Sequence, residues 1–187
     1  MSAGAGKICN LLLYLLGWFI CVLGAALGYP LGGAGLALLP LLAHLWLAED
    51  RRREIRLVLF AAFCGTVLDG SQQGLGLLHF KPDALALALP LWVPVIWAQF
   101  ATLFRFSLAW LSGRYVLGGL LGALGGPLAY AAGVRLGAAD FGASPLLSLM
   151  VLGAVWALVV PLLTWSSRLL DPSPGRYRGF PGTSHFR

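Results

Sequence analysis

The sequence predicts an all-α fold: a polytopic membrane bundle of six transmembrane helices with both termini in the cytoplasm. Three observations carry the prediction. First, six apolar stretches, at 8–27, 31–48, 55–78, 84–104, 115–134 and 145–165, fill the chain almost from end to end. About 20 apolar residues rising roughly 1.5 Å each cover a hydrocarbon core of about 30 Å. Such spans must be helical, because lipid offers no partner for an open backbone N–H or C=O. Second, 59% of the residues are hydrophobic and 11% charged, where a soluble domain carries about 25% charged. Third, Lys7, Arg51, Arg52, Arg53, Arg56, Arg105, Arg114, Arg168, Arg176, Arg178 and Arg187 fall on one side of six crossings, and only Lys81 and Arg135 on the other. Cytoplasmic loops hold the excess of Lys and Arg, which puts both ends inside. The net charge of +6 lies in loops and tail rather than on one helix face, so membrane lipids with anionic headgroups are the expected partner and nucleic acid is not.

The elements follow in order. The first span is longer than the roughly 7–15 residues of a signal-peptide core, and the second begins just past a turn at Tyr29 and Pro30. The pair therefore reads as a retained helical hairpin. Asn10 and Tyr14, one turn apart in the first span, are placed to bond across helices. The cluster Glu49-Asp50-Arg51-Arg52-Arg53-Glu54 reads as a solvated cytoplasmic turn that sets topology. Pro90 and Pro94 imply a kink in the fourth span, and Trp92 suits an aromatic belt. The stretch 104–113 (FRFSLAWLSG) either extends that helix or lies along the interface with Arg105 snorkelling. In the fifth span Gly118, Gly122 and Gly126 make two overlapping GxxxG steps, which allow close backbone approach. Packing within the chain is the default there, with a homodimer or another membrane protein as the alternative. The domain division is 1–170 for the bundle and 171–187 for a Pro-, Gly- and Arg-rich tail, read as a disordered, basic cytoplasmic segment.

The third span carries the most informative polar residues. At helical spacing Ala62, Gly65, Thr66, Asp69, Gln72, Gln73, Gly76 and His79 form one small and polar stripe. An aspartate inside a bilayer costs about 2.5–3.5 kcal/mol on insertion scales, and such groups usually mark function. Asp69 lies 14 residues past Ile55, roughly 21 Å from the inner end, which places it in the outer half. Gln72 and Gln73 adjoin it, and Tyr130 reaches a similar depth. Ser148 and Arg135, near the outer ends of the sixth and fifth spans, complete the expected polar pocket. The structural alternative is a carboxyl that merely ties the third helix to the fifth. Gln99 should lie well below this level.

Chemistry of familiar kinds is missing from the sequence. It holds no GxSxG, HExxH, GxxxxGK[ST] or dinucleotide fingerprint. Cys9, Cys21 and Cys64 have no metal-ligand spacing, and His44, His79 and His185 are scattered. No catalytic group, metal site or cofactor is expected.

Several strings together resemble an uncharacterised family of bacterial inner-membrane proteins, domain-of-unknown-function family 2878. They are NLLLYLLGWFICVLGAAL at 10–27, RRRE at 51–54, the Leu68-Asp69 step, SLAWL at 107–111 and GGPLAY at 125–130. The resemblance implies a multi-pass protein of the bacterial inner membrane and an association with lipid-modifying enzymes. Proteins of that family often have a histidine just before SLAWL, where this chain has Phe106, so no role for that histidine transfers. The leading expectation is a non-catalytic protein that binds a lipid, a small amphipath or a membrane partner around Asp69. A small proton-linked transporter and an intramembrane lipid-modifying enzyme are the alternatives.

Overall fold

The computed structural model describes residues 3–170, so the expected tail at 171–187 lies outside the described residues. Six α-helices make the body: α1 (Ala3–Ala26), α2 (Pro30–Leu47), α3 (Arg51–Gly74), α4 (Trp92–Ala101), α5 (Tyr115–Leu136) and α6 (Pro145–Leu169). Helices α1, α2, α5 and α6 are long and apolar enough to cross a membrane. Their surroundings must be apolar as well, because Leu124, Leu128 and Leu158 on their outer faces are 68–75% exposed. Water would penalise that surface by about 25 cal/mol per Å².

Local chemistry sets the boundaries. Pro30 and Pro145 open α2 and α6 within the first helical turn, where the missing N–H has no intrahelical partner to lose. The Asp50 side chain caps α3 by accepting from Arg53 N at 3.3 Å, and Ser144 caps α6 by accepting from Leu147 N. Helix α5 ends on Gly137 at φ +89°, the left-handed stop that glycine adopts without steric cost.

The fourth apolar stretch departs from expectation. It does not form one helix over 84–104; α4 spans only Trp92–Ala101, and 84–88 is an exposed loop. Asp83 organises that loop by accepting from Leu85 N at 3.0 Å and Leu91 N at 2.8 Å. Pro90 cannot donate and disfavours helix at Leu89, so composition alone overstated this helix. Beyond Ala101 the chain runs through tight turns to a short 3₁₀ segment at Ala109–Leu111.

An all-α reading also missed two strands. Leu78–Phe80 (β1) pairs antiparallel with Ala139–Phe141 (β2), with His79 opposite Asp140, and Lys81 meets Asp140 at 3.1 Å. This small sheet ties the end of α3 to the end of α5. The opposite end of the bundle gathers Arg51–Arg53, Arg105 and Arg168. There Lys7 O accepts from Ser107 Oγ, and Arg168 donates to the Tyr115 hydroxyl. We call these the sheet end and the basic end.

Close packing joins α5 to α6. Gly118, Gly122 and Gly126 are buried against α6, and a Cβ on Gly122 would collide with the backbone carbonyl of Trp156. The glycine ladder thus serves an interface inside this chain.

Candidate functional site

On α3 the buried positions are Glu54, Leu57, Val58, Ala61, Gly65, Asp69 and Gln72, spaced three and four apart along one face. Thr66 and His79, assigned to the polar stripe, are exposed. The inward face is thus rotated slightly from the polar stripe read in the sequence.

Asp69 is 1% exposed and is held by neutral donors from three helices. Trp97 Nε1 on α4 donates to Oδ2 at 2.8 Å. The Tyr130 hydroxyl on α5 lies 2.7 Å from Oδ1 and 2.8 Å from Oδ2. Gln72 Nε2, one turn along α3, donates to Oδ1 at 3.2 Å. No lysine, arginine or histidine pairs with this carboxylate among the described residues.

Two glycines make the geometry possible. A side chain at Gly65 would overlap the Trp97 indole, and one at Gly126 would overlap that of Trp156. Each indole lies against a helix stripped of its Cβ, and the two rings stack at 4.9 Å with planes 22° apart. Trp97 thereby reaches Asp69 one turn beyond Gly65. Trp156 Nε1 is buried without a hydrogen-bond partner among the described residues, as is Gln72 Oε1.

Beside the carboxylate lies a cavity of about 70 Å³, walled by α1, α4, α5, α6 and the sheet. A single water occupies roughly 10–15 Å³ on this scale, so there is room for a small polar head. Tyr14, Trp18, Phe100 and Tyr130 contribute half-buried walls, and Asp69 is the one acidic or basic lining residue among those described.

The other expected pocket members do not converge on Asp69. Gln73 accepts from Phe80 N at 3.0 Å and donates to Ala88 O, fastening α3 to β1 and its loop. Ser148 Oγ donates to Leu77 O at 2.6 Å and anchors α6 beneath the sheet. Arg135 is exposed on the last turn of α5 and takes no part in the Asp69 hydrogen bonds. Trp97 and Trp156 were missed. Their nearest signal was the pairing of large rings with Gly65 and Gly126 at matching depths.

A second polar cluster, also missed, lies at the basic end. Glu54 does not belong to a solvated turn: it is 1% exposed, 2.6 Å from Arg105 Nη1 and 3.2 Å from His44 Nε2. Arg105 is correspondingly 7% exposed rather than snorkelling. Asn10 bonds across helices to Thr102 O at 3.2 Å and accepts from Ser107 Oγ at 2.6 Å, while its Nδ2 lies 3.3 Å from His44 Nδ1. Gln99 donates to Ala37 O, away from Asp69. Phe106 packs edge-on to His44 at 4.7 Å. The cluster joins α1, α2, α3 and the turns after α4.

Neither cluster presents a group of three His, Cys, Asp or Glu side chains able to hold a metal among the described residues. Chemically, the Asp69 site can accept hydrogen bonds, present aromatic surface and hold negative charge. The basic-end cluster can neutralise its own.

No curated protein and no solved structure matches the chain. A family model described as protein of unknown function (DUF2878) matches residues 7–162. The chain therefore belongs to the DUF2878 family.

Proposed function

We propose that this is a six-pass protein of the bacterial inner membrane, with both termini in the cytoplasm, that binds the head of a lipid or small amphipath beside Asp69 without transforming it. The charge asymmetry supports the orientation, because the basic end carries the arginine excess expected of cytoplasmic loops. Helix α3 would then cross with its arginines at the headgroups, and α4 with its following turns would complete the fourth pass inside protein, where irregular backbone is tolerated.

The observation that carries the binding reading is the half-open aromatic cavity with a buried carboxylate in its wall. Pockets of mostly apolar lining with a few convergent polar groups are where small ligands bind. Catalysis has thin support: the acid and the tyrosine are bonded to each other, and no Ser, Thr or Cys lines the cavity among the described residues. A deletion strain complemented with wild type or Asp69→Asn tests the reading by untargeted lipid and metabolite profiling. A changed profile restored by wild type alone is expected; indistinguishable profiles in all strains contradict a lipid-linked role.

Proton-linked transport is a second reading, favoured by two buried acids, Glu54 and Asp69, at opposite ends of α3. Reconstituted flux that vanishes in Asp69→Asn would support it.

A further inference from the structure

We infer that the head bound beside Asp69 is a cation, an amine or quaternary ammonium carried on an apolar tail. The inference rests on the amphipath-binding reading and names the ligand's charge. The cavity holds a carboxylate and no basic group among its described lining residues. Every donor on that carboxylate is neutral: the Trp97 N–H, the Tyr130 O–H and the Gln72 amide. Its negative charge is therefore spread by hydrogen bonds but cancelled by no basic side chain among the described residues. An anionic head would meet repulsion with no arginine or lysine to answer it.

The walls favour a cation for a second, independent reason. The faces of Trp and Tyr rings attract ammonium groups within about 6 Å of the ring centroid, and desolvation strengthens the attraction. Tyr130 donates to the carboxylate, which pushes electron density into its ring and makes its faces more negative; Trp97, stacked on Trp156, shares the same carboxylate through its N–H. Trp92 and Phe80 add an edge-to-face pair at 5.6 Å on the sheet side. The buried Trp156 N–H, without an acceptor among the described residues, can serve an oxygen next to the cation, as in an ethanolamine or choline ester. The tail leaves past Tyr14 and Trp18, whose half-buried rings border the apolar exterior of α1.

The test uses the full chain in nanodiscs of zwitterionic lipid, read by intrinsic tryptophan fluorescence. Decyltrimethylammonium, decyl glucoside and decyl sulfate are titrated in parallel, against empty nanodiscs to correct for partitioning. Wild type is expected to give saturable quenching by the cation with at least tenfold tighter apparent affinity than by either other head. Asp69→Asn should lose that preference while still binding decyl glucoside. Equal affinity for all three heads in wild type overturns the charge inference and leaves amphipath binding standing. Saturable binding of none of them overturns both. Because the wild-type series decides alone, misfolding of the variant would not rescue the inference; Ala129→Phe, which fills the cavity and spares Asp69, should abolish quenching by all three.

Discussion

Two buried carboxylates on one helix have opposite surroundings. Glu54, near the basic end of α3, is answered by a guanidinium and an imidazole and sits in a closed network. Asp69, fifteen residues further along the sequence, is answered by an indole, a phenol and an amide, beside open space. Both satisfy the rule that buried polar groups are hydrogen-bonded; only Glu54 also has an opposite charge beside it. One arrangement returns the local charge towards zero and has no use for a ligand. The other leaves its carboxyl without a counter-charge beside a cavity, where any charge it holds acts strongly on whatever enters. On the proposed reading, a lock and a binding site differ in the charge of the donors around the acid.

The largest effect should come from breaking the lock. Arg105→Met leaves Glu54 buried and unanswered, a change that costs about 3–5 kcal/mol, and should sharply lower the thermal midpoint of the purified protein. Adding Glu54→Gln to that variant should recover much of the loss. Equal midpoints for the two variants would show that the pair is not a lock.

Next in size is the ring sandwich. Gly65→Val drives a side chain into the Trp97 indole, and overpacking of this kind costs about 1–3 kcal/mol. Near-ultraviolet circular dichroism should change as the Trp97–Trp156 stack separates, and ligand response should fall with it.

Asp69→Asn should cost less stability than Arg105→Met, about 1–3 kcal/mol, because its donors are neutral and keep a partial acceptor. Its main consequence should be functional. A stability loss equal to that of Arg105→Met would erase the distinction between the two acids. The smallest effect belongs to Arg135→Ala, an exposed residue outside the site. Its stability should stay within about 0.5 kcal/mol of wild type, with unchanged ligand response.

How much of this was legible in the sequence depends on the period of the signal. Long apolar runs located five of the six helices, because burial in lipid demands both length and composition. The fourth was overdrawn, since an alternating Ala-Leu run scores as apolar whether or not Asp83 and Pro90 turn it into a loop. The three-residue strands have too few positions to show a pattern. Asp69 and its Tyr130 partner were readable from depth, as one ionisable group inside an apolar span demands a counterpart. Glu54 was not, because its place among arginines looked like solvent exposure. Of its partners, His44 lies ten residues back on α2 and Arg105 fifty-one residues ahead, and neither shares a helix face with it in the sequence. Gln73 and Ser148 show the converse error: polar residues at the right depth that spend their bonds on backbone.

The most direct test of the central claim is to identify, by mass spectrometry, the small molecules that stay with the full chain through gentle purification, beside the same preparation of Asp69→Asn. A species enriched over the surrounding membrane in wild type and lost from the folded variant is the predicted result. Identical co-purifying molecules in both, at membrane proportions, would mean that the aromatic cavity is packing space and nothing more.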